Sequence, residues 1–184
     1  KEKIDLTNLI GQHNKDNVAL ALALLEPLRL SENAIKKLLE FKGLEHRLEH
    51  AGLYNDILFI NDSKATAMDS VLVAIHASLG ILKKPGVLYV LLGGKDKNLP
   101  WEELSSLNSF SEIQPVFFGA CGETAKRKSN LKGVYFKFLA EALQCVFQQT
   151  KKNDIVLLSP GGTSLDEFKN FEERGRIFKE LTNK

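Results

Sequence analysis

Gly86-Val-Leu-Tyr-Val-Leu-Leu-Gly-Gly94 is the stretch on which the fold turns. Six apolar residues in a row, rich in branched and aromatic side chains, run between glycines. A strand that is apolar at odd and even positions alike has no face for water, so it must be covered on both sides. Asp154-Ile-Val-Leu-Leu-Ser159 has the same character. Working outward, strands are expected at 56–61, 115–119 and 133–136, with Arg47-Leu-Glu-His50 adding an antiparallel edge. Helices are expected at about 69–79, from Pro100-Trp101 onward, at about 123–128, at 139–149 and at about 165–181. Strands alternating with helices predict an α/β fold, a Rossmann-like and mainly parallel sheet with helices on both faces.

Ahead of this unit, Val18-Ala-Leu-Ala-Leu-Ala-Leu-Leu25 is built from strong helix formers, with Asn14 or Asp16 able to cap its start. Pro27 breaks it. A second helix opens at Ser31, carries Ile35, Leu38 and Leu39, and ends at Gly43. Neither helix has a partner of its own. The pair is therefore read as the tail of another domain, which divides the chain into 1–43 and 44–184. A start at Lys1 rather than Met points the same way, to something upstream.

Composition bounds the function. The chain has 184 residues, 43% hydrophobic and 26% charged, with a formal net charge of +2. That aliphatic content with so little net charge excludes intrinsic disorder. The near-neutral balance argues against a dedicated nucleic-acid or membrane-surface binder, since both need concentrated positive charge. Cys121 and Cys145 show no metal or redox spacing, and two free thiols suit a reducing compartment. No apolar run is long enough to span a bilayer. A soluble, cytoplasmic monomer is expected.

In an open parallel sheet, ligands gather beyond the carboxyl ends of the strands. The segments there are Asn61-Asp-Ser-Lys-Ala-Thr66, Gly93-Gly-Lys-Asp-Lys-Asn98, Gly119-Ala-Cys-Gly122 and Ser159-Pro-Gly-Gly-Thr-Ser164. All are small or polar, and glycines with exposed helix-start amides favour anions. Neither G-x-G-x-x-G nor G-x-x-x-x-G-K-[ST] occurs, so no complete phosphate cradle is encoded. Asp62, Lys64 and Thr66 suit ribose or phosphate contacts, but spacing alone favours a turn and helix cap. Lys97 and Lys95 compete for an anion in the second loop, and pattern alone does not choose. Ser164-Leu-Asp-Glu167 has the form of a capping box, a structural role that its amides could share with a ligand carboxylate. Leu165, Phe168, Phe171 and Phe178 fall near one helical face, which makes core packing the ordinary role of the phenylalanines. His13, His46, His50 and His76 lack metal spacing, Cys121 lacks a paired histidine, and Lys126, Arg127, Lys128 and Lys132 read as a solvated face.

Five segments in this order resemble the Mur ligase family: Gly11-Gln-His-Asn-Lys-Asp-Asn17, Gly43-Leu-Glu-His-Arg47, Asn61-Asp-Ser-Lys-Ala-Thr66, Leu91-Leu-Gly-Gly94, and Leu158 through Gly175. The third and fifth resemble most the branch that adds D-glutamate to UDP-N-acetylmuramoyl-L-alanine in peptidoglycan synthesis. The resemblance implies that residues 1–43 end a central ATPase domain and that 44–184 form a C-terminal amino-acid-binding domain. It implies ATP and Mg2+ as cofactors, bound mainly by a part of the protein outside this chain, and an acyl-phosphate intermediate. It also implies residue roles. Asn14, Asn17, Arg47, Asp62 and Lys64 fall on the nucleotide side. Thr66 and Lys97 hold the α-carboxylate of D-glutamate, with Lys97 ahead of Lys95. Ser164, the Leu165 amide and the Phe171 region hold its side-chain carboxylate. Ala67 stands where the family usually has Asn, and Gly161-Gly162 where other small residues are common. Alternatives are a stand-alone α/β ligand-binding module, or another Mur or folylpolyglutamate-type ligase.

Overall fold

The computed structural model describes residues 9–29 and 31–182, with the side chains of 32, 38 and 39 left aside. Residues 1–8 of the expected N-terminal unit, and the side chains of Leu38 and Leu39 in its second helix, lie outside the described residues. The strands are β1 (Glu49–Tyr54), β2 (Ile57–Asn61), β3 (Leu88–Gly93), β4 (Ile113–Phe118), β5 (Val134–Phe136) and β6 (Ile155–Gly161). The helices are α1 (Gln12–Leu25), α2 (Glu32–Leu39), α3 (Met68–Leu79), α4 (Gly122–Ser129), α5 (Leu139–Phe147) and α6 (Phe171–Thr182). Every residue of β3 and β6 is buried, as strands apolar on both faces must be.

These strands form one sheet in the order β1-β2-β6-β3-β4-β5, parallel except for β1, which pairs antiparallel with β2. Two apolar layers flank it. One joins Val71, Ala74 and Ile75 of α3 with Trp101, Leu104, Leu107 and Ala125. The other joins Leu139, Leu143 and Val146 of α5 with Phe178 of α6. Chain leaving β2, β3 and β4 therefore crosses one face, and chain leaving β5 and β6 crosses the other. The carboxyl end of β6 is thus flanked by strands whose continuations diverge from its own, and such switch points open crevices.

Several boundaries differ from the expected ones. Trp101–Ser109 is a run of 3-10 turns, with Pro100 at its N-cap, rather than an α-helix. The Asp96 carboxylate explains the tight start, accepting both the Leu99 amide (3.1 Å) and the Trp101 indole N–H (3.2 Å). The first helix is entered through Gly11 at φ 96°, and neither Asn14 nor Asp16 caps it. Instead the Asn14 amide donates to the Ile10 carbonyl (2.8 Å).

The expected capping box at Ser164-Glu167 does not form, and the last helix starts at Phe171 rather than 165. Ser164 contributes its carbonyl, which accepts the Glu167 and Phe168 amides in a turn. Glu167 reaches away to the Leu139 amide at the start of α5 (3.1 Å). The functioning cap is one turn and a half later. Asn170 Oδ1 accepts the Glu173 amide (2.8 Å), and Glu173 Oε2 accepts the Lys169 amide (2.6 Å). The spacing of polar cap and acid is the same in both segments, and tertiary contacts of Glu167 decide between them.

Helix α1 buries none of its residues, and Leu20, Leu24 and Leu28 are each at least 60% exposed. Among the described residues no helix is long and apolar enough to cross a membrane. Both cysteines are free.

Gly175, on α6, sits where a Cβ would come within 2.2 Å of His46 Nδ1 and 2.9 Å of Asn61 Nδ2. Gly175→Ala is expected to expel the buried imidazole and cost roughly 1–3 kcal/mol as overpacking, outweighing the gain of under about 1 kcal/mol in helix propensity. Urea unfolding followed by circular dichroism measures it; a variant at least as stable as the parent would refute this packing.

Candidate functional site

At the carboxyl rim of the sheet, three loops are laced together by backbone. The loop after β3 and the loop after β6 exchange two bonds, Lys95 N–H to Thr163 O and Thr163 N–H to Lys95 O (both 2.8 Å). The loops after β2 and β6 meet where the Gly161 amide donates to Ala65 O (3.0 Å). Close approach is possible because Gly94 and Gly161 adopt φ 95° and 76°, and a Cβ on Gly94 would lie 2.3 Å from Thr163 O.

A buried arginine completes the lacing. Arg174 is fully buried; Nε and Nη2 donate to Ser63 Oγ (3.0 Å) and O (2.8 Å), while Nη1 donates to Gly162 O (3.1 Å). Burial pulls its pKa down to about 10, against the supporting charge of Asp166, so it stays cationic at neutral pH. Its role was not extracted from the sequence, where it stands as one basic residue on a charged helix.

Thr66, Lys97 and Ser164 accordingly follow three adjacent strands, β2, β3 and β6, on one rim. Thr66 is half-buried just ahead of α3, Lys97 is exposed, and Ser164 is buried. Lys95 and Lys97 are both exposed, so accessibility does not separate them. Leu165 is 61% exposed in the turn after β6, outside any helix. Phe171 opens α6. Its ring lies beneath the Lys64 ammonium, 3.8 Å from Nζ to the centroid, and lines a hollow shared with Glu45, His46 and Lys169.

Amides expected to be open to anions are partly taken by the chain itself. Asp166 Oδ2 accepts the Ala120 amide ahead of α4 (2.8 Å), and Glu167 does the same for α5. By contrast α3, entered through Ala67, has no side-chain cap. Its first turn carries the acidic Asp69, and α4 likewise has no side-chain cap.

Asn14, Asn17, Arg47, Asp62 and Lys64 all line one cleft of about 660 Å³ between α1, the 41–48 segment and the start of α3. Ile10, Val18, Phe41, Leu44 and Val73 make its apolar wall. Asp69 and Ser70, in the first turn of α3, also line it and were not singled out from the sequence. Asp62 is buried; Oδ1 accepts the Leu48 amide (3.2 Å) and Oδ2 the Ser159 hydroxyl (2.9 Å). Burial pushes its carboxyl up to about 6, opposed by those two donors and by the Arg47 charge.

Glu45, His46 and Glu49 are the metal-like cluster among the described residues. Lys179 Nζ bridges its two carboxylates (2.5 and 2.8 Å), and the Asn61 amide donates to His46 Nδ1 (2.9 Å). The Lys179 contact holds the Glu45 carboxyl below its ordinary range. With an ammonium already between the carboxylates, the cluster does not suit a divalent cation. Cys121 is buried and its thiol is pushed up to about 12, mainly by burial, which makes a poor nucleophile.

No family model matches the chain. It is 35% identical over 99% of its length to UDP-N-acetylmuramoylalanine–D-glutamate ligase of Buchnera aphidicola subsp. Schizaphis graminum, covering 41% of that protein. It is 37% identical to the corresponding ligase of Elusimicrobium minutum, over 98% of this chain and 40% of that one. The chain thus spans about two fifths of the curated relatives it matches, and it is homologous to their C-terminal region. Among solved structures, MurF ligase from Thermotoga maritima in complex with ADP superimposes over 91% of this chain and 38% of that one, with a TM-score of 0.66 at 18% identity. Escherichia coli FolC in complex with ADP does so over 95% and 40%, with a TM-score of 0.68 at 21% identity. At these identities the two structures establish a shared fold.

The raised carboxyl of Asp62 sets a pH dependence. Between about pH 4 and 6 the folded protein holds this proton more tightly than the unfolded chain does. The stabilisation it contributes is present below about pH 4 and is lost as pH rises to about 6. Asp62→Asn keeps an oxygen for Leu48 and an amide for Ser159 while removing the titration. The stability of the parent relative to this variant should therefore fall across that window by on the order of 2–3 kcal/mol. Urea midpoints from pH 4 to 7 measure it, and a pH-independent difference would contradict the burial described.

Proposed function

We propose that this chain is the C-terminal part of an ATP-dependent ligase that adds D-glutamate to UDP-N-acetylmuramoyl-L-alanine in peptidoglycan synthesis. The observation that supports it most is the single cleft lined by Asn14, Asn17, Arg47, Asp62 and Lys64. An apolar wall against a face with two cations and two amides suits a nucleotide, with its flat base and anionic phosphates. Residues 1–43 are then the end of a central nucleotide-binding domain, and 44–184 the domain that receives the amino acid. Mg2+ would accompany ATP on residues outside this chain.

In such a reaction the γ-phosphate of ATP passes to the carboxylate of the UDP-sugar, and the D-glutamate amine attacks the resulting acyl phosphate. Phosphate then leaves and an amide remains. Both reactants are anions, so bringing them together needs fixed cations and N–H donors. Thr66 and Lys97 would hold the α-carboxylate of D-glutamate. Ser164 and the Leu165 amide would hold its distal carboxylate, with Phe171 bordering. Arg47 and Lys64 would face the nucleotide phosphates.

Two measurements test this. The 184 residues alone are expected to show no ATP turnover, and substantial ligase activity from them would defeat the proposal. In the intact ligase, Lys97→Ala should raise the D-glutamate requirement, by the loss of about 1.5–3 kcal/mol of binding, the worth of a charge-assisted contact. A D-glutamate titration with ATP and the UDP-sugar present reads this directly, and an unchanged titration removes Lys97 from the site.

A further inference from the structure

Two lysines near the rim are held in opposite ways. Lys179 lies between two carboxylates and is neutralised by them. Lys64 has no carboxylate partner among the described residues; its ammonium rests 3.8 Å from the centroid of the Phe171 ring. A carboxylate would cancel the charge, whereas the negative face of an aromatic ring steadies a cation and leaves its charge available. The ring is itself fixed. The Phe171 carbonyl accepts the Ser63 hydroxyl (2.7 Å), and His46 meets the ring edge to face at 5.9 Å and 84°. The Lys64 backbone is fixed in turn, its amide donating to His46 O (3.1 Å). A long flexible side chain is thereby held at the backbone and at its charged end, on the border of the cleft shared with Arg47.

We propose that Phe171 is a positioning residue whose ring presents the Lys64 ammonium, un-neutralised, to the phosphate-bearing occupant of the cleft. Its side chain then serves the nucleotide side, and its proximity to the glutamate rim is incidental. This rests on the nucleotide reading of the cleft. It also links the two halves of the site, because the ring opens α6 directly after the loop that carries Ser164.

The test is a double-mutant cycle in the intact ligase, with KM for ATP and for D-glutamate measured for Lys64→Met, Phe171→Leu, Phe171→Tyr and the Lys64→Met/Phe171→Leu pair. Phe171→Leu should raise KM for ATP about three- to tenfold, Phe171→Tyr less than about twofold, and KM for D-glutamate should hold in both. In the Lys64→Met background, Phe171→Leu should add nothing. An increase that persists there, or one confined to D-glutamate, would overturn the inference while leaving the nucleotide cleft standing. If Lys64→Met itself leaves KM for ATP unchanged, the nucleotide reading fails instead. Should Phe171→Leu fold poorly, NMR of the parent chain still decides: the Lys64 ε-methylene protons should be shifted upfield by the ring, and random-coil shifts would overturn the contact.

Discussion

A guanidinium buried without a carboxylate is the constraint on which the rim depends. Arg174 takes its charge out of water and satisfies it on carbonyl and hydroxyl oxygens of Ser63 and Gly162, which lie on loops leaving different strands. Stripping a cation of water costs several kcal/mol unless its hydrogens all find acceptors, so the two loops cannot separate without leaving that charge stranded. The planar, multidentate donor set is what lets one side chain grip two backbones at once, and lysine would grip only one point. Around this pin the β3 loop is added by the Lys95–Thr163 exchange, and α6 by the Ser63 hydroxyl.

The lacing also explains why anion-friendly loops are not all equally open. Four glycine- or serine-rich segments at a sheet edge suggest many free amides. In the folded protein Asp166 and Glu167 occupy the approaches to α4 and α5, and the β3 and β6 loops spend amides on each other. The entry to α3, next to Lys64 and Thr66, has no side-chain cap, and neither has that of α4. Self-occupation thus narrows a diffuse anionic preference, and of the entries left open that to α3 borders the cleft.

Sheet and layer arrangement were legible because β3 and the Ile155–Leu158 run of β6 carry apolar residues at odd and even positions alike, a pattern that suits a doubly covered strand. The start of α6 was not, because Ser164-x-x-Glu167 and Asn170-x-x-Glu173 are equivalent as local signals. Only the long-range bond from Glu167 to Leu139 breaks the tie. The five positions expected on the nucleotide side are scattered from 14 to 64 and share no spacing. Resemblance alone grouped them, and the cleft now joins them in space. Arg174 and the pairing of Lys64 with Phe171 were invisible for a common reason. A cation's partner there is a carbonyl or a ring more than 100 residues away in the chain, and no periodicity encodes that.

The sheet order carries a consequence for how the protein comes into being. β6 occupies the middle of the sheet, between β2 and β3, yet it comes after the other five described strands in chain order. A nascent chain ending near residue 150 holds β2 and β3 with an empty slot between them, each exposing an unpaired edge. Such edges invite wrong pairings until the slot is filled. Closure must therefore wait for residues 155–161 to clear the ribosome, and a truncation that removes them would take away the keystone of the sheet.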